Sequence, residues 1–227
     1  YAERNPGRYH GVGPFDPETG VVAPSGESFS SVFGRKLEDC AAQDPRVCAI
    51  TAAMADGTGL GHFAGAYPDR FFDVGIAEGH GAAMAAGLAR QGMLPVFAVY
   101  SSFLQRSYDM LIHDIALQGL HVVLGVDRAG LVGADGETHH GCFDALFLPE
   151  IPGFTVYCPA SFAELRRMLS DALFRCTGPV AVRYPRGGEG EYRADAGEDA
   201  LTCLRQGGDA AILTYGILVN EALTAAE

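Results

Sequence analysis

Arg70-Phe71-Phe72-Asp73-Val74-Gly75-Ile76-Ala77-Glu78-Gly79-His80 is the stretch on which the fold turns. A short apolar run ends, a glycine turns the chain, and a glutamate opens a helical pattern that continues to Gln91. This reads as a strand, a tight turn and a helix. An acid in the first helical turn suits the positive end of the helix dipole and needs no catalytic explanation of its own. Its meaning depends on the residues around it.

Outward from this junction, apolar runs alternate with helical patterns. Val47–Ala52, Phe71–Val74, Pro95–Tyr100, His121–Val126, Phe154–Cys158 and Val180–Tyr184 are predicted strands. Helices are predicted over 78–91, 102–118 and 161–176, and Ser28 caps an earlier one that runs to about Gln43 with Val32, Phe33, Leu37 and Cys40 on one face. Near-continuous apolar strands separated by helices predict an α/β fold, a mostly parallel three-layer sheet with helices on both faces. Such sheets take ligands at the carboxyl ends of their strands. Residues 1–27 read as a Gly- and Pro-rich linker and 28–190 as the main domain. Residues 191–227 read as a second linker leading to a strand at Ala210–Tyr215 and a short helix. Tyr1 in place of methionine, and a helix-like run reaching Glu227, read as a segment of a longer polypeptide.

A net charge of −12 and a pI near 4.9 argue against nucleic acid and anionic membrane as partners. No stretch approaches the roughly 18 consecutive apolar residues of a membrane span. Six cysteines without a Cys-x-x-Cys pair read as free thiols in a reducing cytoplasm.

Three further stretches accompany the Glu78 junction. The predicted strand 95–100 runs into Tyr100-Ser101-Ser102-Phe103-Leu104-Gln105-Arg106, where Ser101 or Ser102 can cap a helix that carries Phe103 and Arg106 on one face. A ring beside a guanidinium suits a flat heteroaromatic ligand, although each residue alone has an ordinary structural reading. The loop from Asp127-Arg128-Ala129-Gly130 to Asp135-Gly136-Glu137-Thr138-His139-His140-Gly141 is too long for a minimal connection. A metal reading of Asp135, His139 and His140 is weak, because adjacent residues on extended backbone point opposite ways. No metal ligands are assigned. Arg183-Tyr184-Pro185-Arg186-Gly187-Gly188 closes the last strand; with Arg128 also at a strand end, two guanidiniums can converge on a phosphate.

Together these four stretches resemble the central domain of 1-deoxy-D-xylulose-5-phosphate synthases, transketolase-like thiamine diphosphate enzymes, across essentially the whole chain. The resemblance implies a pyrimidine-domain fold of transketolase type in which Glu78 hydrogen-bonds the pyrimidine N1′ and activates the cofactor. Phe103 stacks on the pyrimidine, with Arg106 and Met54 lining the same pocket. It further implies that Tyr100 and His139 sit near the reacting carbon, that Asp135 contributes from the loop, and that Arg128 and Arg186 bind the substrate phosphate. His10, in Tyr9-His10-Gly11-Val12, matches a family histidine that reaches the site. The implied substrates are pyruvate and glyceraldehyde 3-phosphate, and the implied assembly is a homodimer.

Two departures stand out. The family usually has Gln-His-Ala where this chain has Gly79-His80-Gly81, and a proline where Thr51-Ala52-Ala53-Met54 has none. Two glycines in a first helical turn weaken it by about 1 kcal/mol each relative to alanine. The Gly-Asp-Gly and asparagine that hold diphosphate and Mg2+ are not found: Gly208-Asp209-Ala210 comes closest, in the wrong context. The diphosphate-binding domain is therefore expected elsewhere, and the isolated fragment is expected to be inactive. Rival readings are another transketolase-like enzyme, either a ketol transferase or a 2-oxo acid dehydrogenase beta subunit, and a non-catalytic partner domain.

Overall fold

Ser28 begins the main domain with a reciprocal cap. Its hydroxyl accepts from the Ser31 amide at 3.2 Å, and the Ser31 hydroxyl accepts from the Ser28 amide at 2.9 Å. The computed structural model, which describes residues 2–4, 15–19, 26–199 and 201–227, then runs into helix α1 (Phe29–Gln43). Strand β1 (Val47–Thr51), a short helix α2 (Gly61–Ala66), strand β2 (Phe71–Asp73), helix α3 (Glu78–Arg90) and strand β3 (Leu94–Tyr100) follow. Beyond β4 (Val123–Asp127) come the short helix Asp144–Glu150, β5 (Thr155–Tyr157), the long helix Phe162–Phe174 and β6 (Val180–Arg183).

The six strands form one sheet in the order β2-β1-β3-β4-β6-β5, with every pair parallel. Alternate side chains enter different cores. Val47, Ala49, Val96, Ala98, Val180 and Val182 face helices 29–43 and 162–174, where Phe29 meets Phe162 edge-on at 4.9 Å. Ile50, Phe97, Val99, Leu124, Val126 and Ala181 face α3 and the helical run before β4. Both faces are therefore covered, as the unbroken apolar strands require. Each fully buried Phe or Leu contributes about 1.5–3 kcal/mol.

Polar anchors fix the junctions. Arg70 donates from one nitrogen to the carbonyls of Ala41, Asp44 and Val47 at 3.1–3.3 Å, tying the end of α1 to the start of β1. Asp73 accepts from the amides of Ala53 at 2.8 Å and Gly75 at 3.0 Å. That carboxylate sets the turn in which Gly75 takes φ 68, a left-handed conformation that favours glycine. Glu164, buried, accepts from Ala160 and Ala196 and holds the segment after β6 against the domain.

The structure corrects three expectations. The helix predicted over 102–118 is not uniform. Ser101–Leu104 is α-helical, Gln105–Ser107 is a 3-10 turn, Tyr108–Met110 is a single α turn, and Leu111–Ala116 is π-helical. Neither Ser101 nor Ser102 caps it: both hydroxyls lack a hydrogen-bond partner among the described residues, and Tyr100 holds the cap position. Ala210–Tyr215 is not a strand, because no described strand lies beside it to complete a ladder, and Leu213 and Tyr215 stand exposed. The short helix after it exists, at Val219–Ala225.

The chain leaves β1 for β2 on one side and returns to β3 on the other. That switch point opens a crevice at the carboxyl ends of β1 and β3.

Candidate functional site

Four strand ends deliver side chains to this edge. Glu78 is the first residue of α3 and is 4% exposed. Arg106 reaches across from the 3-10 turn, where its Nη1 donates to Glu78 Oε1 at 2.5 Å. The same guanidinium lies 4.7 Å from the centre of the Phe103 ring. Phe103, in the preceding α turn, and Arg106, in the 3-10 turn, thus stand together beside the start of α3.

Tyr100, Phe103 and His139 form an aromatic wall. Tyr100 stacks on Phe103 at 5.7 Å, and His139 sits edge-on to Phe103 at 5.2 Å and to Tyr100 at 6.2 Å. Burial raises the Tyr100 hydroxyl pKa above its ordinary value, so it remains a neutral donor at physiological pH. His139 arrives on the loop after β4, whose ends are clasped by paired backbone hydrogen bonds between Gly130 and Gly141, each 2.8 Å. His140 turns inward, where its Nδ1 accepts from the Val132 amide at 3.1 Å. Among the described residues, no group of His, Cys, Asp and Glu is clustered so as to hold a metal ion.

Arg128 forms the other end. It follows Asp127 in the left-handed region, φ 58, and its guanidinium lies 4.2 Å over Tyr100. Its Nη1 donates to the Gly57 carbonyl at 2.6 Å, Asp127 Oδ1 at 3.0 Å and Ser30 Oγ at 3.2 Å. Its Nε lies 3.4 Å from Asp135 Oδ2, and Arg186 Nε approaches the same oxygen to 3.0 Å. Neither approach is aimed well enough to count as a hydrogen bond, because this Asp135 oxygen has no such partner among the described residues. A cavity of about 550 Å3 adjoins both arginines, bordered by Ser30, Gly57 and Gly187. Burial pushes the Asp127 carboxyl upward while Arg128 beside it pulls the other way, and burial prevails.

The site residues read from the sequence mostly converge. Glu78, Phe103 and Arg106 meet at one end, Arg128, Asp135 and Arg186 at the other, with Tyr100 and His139 between them. Met54 packs in the core beside Ile50 and Phe97. His10 lies outside the described residues. Arg183 is structural, since it forms a two-pronged pair with Asp144 at 2.8 and 3.1 Å. Sequence reasoning missed Ser30, Gly57 and Asp127. A charged residue closing the apolar strand 123–127 was the available signal for Asp127.

Gly79 and Gly81 are also explained. A Cβ on Gly81 would stand 2.7 Å from the buried Phe97 ring, and one on Gly79 would stand 2.9 Å from the end of Met110. The glycines make room for these larger neighbours.

Residues 26–189 match the family model described as transketolase, pyrimidine binding domain. The chain is 49% identical over its full length to the 1-deoxy-D-xylulose-5-phosphate synthase of Clostridium kluyveri and 52% identical to that of Thiobacillus denitrificans, covering 37% and 38% of them. It thus spans little more than a third of the length of these curated relatives. Among solved structures it resembles a split-gene transketolase, an inactive beta4 tetramer, with TM-score 0.75 and 28% identity over 89% of this chain and 67% of that one. A transketolase from Leishmania mexicana shares the fold, with TM-score 0.62 and 16% identity over 70% of this chain and 26% of that one.

Proposed function

The chain belongs to the transketolase pyrimidine-binding domain family, and from this we propose that it is the pyrimidine-binding part of a 1-deoxy-D-xylulose-5-phosphate synthase. The whole enzyme joins pyruvate to glyceraldehyde 3-phosphate with loss of carbon dioxide. What carries this reading is the convergence of Glu78, Phe103 and Arg106 at one end of a crevice and Arg128 and Arg186 at the other. The chain that does this is about half identical along its length to such synthases.

The residues fit an aminopyrimidine. Glu78 offers a buried carboxylate oxygen, and that oxygen is held by the half-exposed Arg106, which itself lies over the Phe103 ring. Thiamine diphosphate, when bound, supplies the electron sink for breaking and forming the carbon–carbon bonds. This chain supplies orientation and charge. Glu78 holds a proton shared with a ring nitrogen, Phe103 presents its face to the ring, and His139 and Tyr100 stand where they can hydrogen-bond the reacting groups. Arg128 and Arg186 receive the acceptor phosphate.

On this reading, residues 1–27 lead from a domain that holds the diphosphate and its Mg2+, 28–190 form the pyrimidine domain, and 191–227 begin a further domain. The enzyme works as a homodimer in the cytoplasm. All six cysteines are free thiols, which fits that setting. No helix among the described residues is long and apolar enough to cross a membrane. The chain alone is expected to lack synthase activity, since its sequence lacks the Gly-Asp-Gly motif and asparagine that would hold diphosphate and metal.

The deciding assay uses the complete enzyme. Carbon dioxide release from pyruvate, stimulated by glyceraldehyde 3-phosphate, supports the proposal. Turnover with ketose phosphates alone eliminates it in favour of a ketol transferase.

A further inference from the structure

Arg128 raises a question that phosphate binding alone does not answer. A non-glycine residue in the left-handed region is strained by roughly 1–2 kcal/mol, and here the strained residue carries a guanidinium held on three acceptors. The fold must supply something that keeps it there.

Asp127 is placed to do so. It is the last residue of β4, paired in register with Tyr100 of β3, and is fully buried. Its Oδ1 accepts from the Arg128 amide at 2.7 Å and from Arg128 Nη1 at 3.0 Å. One oxygen therefore grips both the backbone and the side-chain tip of the next residue, closing Arg128 into a ring while its backbone is in the left-handed region. Ser30, on the first turn of α1, adds a third point through its hydroxyl at 3.2 Å. With Nη1 saturated by Asp127, Ser30 and Gly57, the opposite edge of the guanidinium is left over. Its Nε is buried, lacks a hydrogen-bond partner among the described residues and lies 3.4 Å from Asp135 Oδ2, while Arg128 as a residue borders the cavity.

A purely structural explanation accounts for this less well. The second oxygen of Asp127 has no hydrogen-bond partner among the described residues, and neither has the buried hydroxyl of Tyr184. Burying a carboxylate half-satisfied is a costly way to gain stability. It is a direct way to aim a neighbour.

We propose that Asp127 and Ser30 are positioning residues: they fix Arg128 by its Nη1, so that the rest of its guanidinium is aimed for the phosphate of the acceptor. This rests on the function proposed above and deepens it by naming what makes that site selective for a phosphorylated acceptor.

The test compares Asp127→Asn and Ser30→Ala with wild type in the complete enzyme, using glyceraldehyde 3-phosphate and unphosphorylated glyceraldehyde. Asp127→Asn is expected to raise KM for the phosphorylated acceptor about tenfold and Ser30→Ala about threefold. The KM for pyruvate, and kcat/KM with the unphosphorylated acceptor, should stay within about twofold. Equal losses with both acceptors, or no loss with either, would overturn the proposal. A second measurement needs no turnover: calorimetric titration of the same proteins with inorganic phosphate. Wild type should bind it, and Asp127→Asn should bind it at least about fivefold more weakly. If wild type is not a synthase but this difference appears, the positioning role stands while the function reading falls. Equal phosphate binding by wild type and both variants overturns the positioning role. Should Asp127→Asn fail to fold, Ser30→Ala decides on the same two readouts.

Discussion

The two ends of the crevice solve the same electrostatic problem in opposite ways. At the α3 end the buried group is an acid, Glu78, and its partner Arg106 is about half exposed, at 53%. At the β4 end the buried groups are Asp127 and Arg128, sealed together at 0% and 12% exposure and braced by backbone and hydroxyl acceptors. Arg106 can leave its partner at little cost, whereas Arg128 is held in place. On the proposed function this contrast is expected. A base meant for a ligand nitrogen would need a counter-ion that can leave, and a phosphate receptor would need a guanidinium that is already aimed.

The largest expected effect bears on the yielding end. Glu78→Gln should lower turnover of the complete enzyme by about 10²–10⁴-fold, with thermal unfolding almost unmoved, because Gln can still accept from Arg106. A large fall in melting temperature would mean that Glu78 is a structural group and would remove the contrast.

The next effect concerns stability. Arg128→Ala strands Asp127 in a sealed site and should cost about 3 kcal/mol in denaturant unfolding. Arg106→Ala should cost under about 1 kcal/mol, since water follows into the space left by an exposed side chain and solvates Glu78. Equal costs would break the comparison.

A smaller effect sharpens it around α3. Gly81→Ala should destabilise by about 1–3 kcal/mol, because its methyl meets the rigid, buried Phe97 ring. Gly79→Ala meets only the flexible end of Met110 and gains helix propensity, so it should fall within about 0.5 kcal/mol of neutral. Both are read from urea midpoints at constant slope.

The smallest is a gain. Ala53 sits at φ 59 beside the crevice, and Ala53→Gly should add up to about 1 kcal/mol by relieving strain, less the extra entropy of an unfolded glycine. Unchanged or lower stability would show that the turn held by Asp73 needs its alanine.

The sequence was most legible where burial alone dictates the pattern. Strands covered on both faces must be apolar throughout, so β1, β3, β4 and β6 could be read within a residue or two. Helix 102–118 was legible as helical but not in its winding, because the shift from 3-10 to π geometry follows from tertiary contacts that no local periodicity encodes. Ala210–Tyr215 has strand composition, but a strand exists only beside another, and none among the described residues is there. Glu78, Phe103, Arg106, Arg128 and Arg186 were legible as motifs. What could not be read was the division of labour between neighbours. Arg183 went to Asp144 and Arg186 to the site, and Asp135 stands between the two site arginines, because pairing depends on loop paths rather than on spacing.

Gly57 carries a consequence for how such a crevice can be changed. Its carbonyl accepts from Arg128, and a Cβ there would overlap the Tyr100 hydroxyl at 1.8 Å. Any side chain at position 57 would push Tyr100 away and shift the cation resting on it. On the proposed function, a single site on the loop after β1, outside the usual list of reactive groups, is thus a steric handle on acceptor choice. A library randomised at 57 alone would explore new acceptors while leaving Glu78 and its helix untouched.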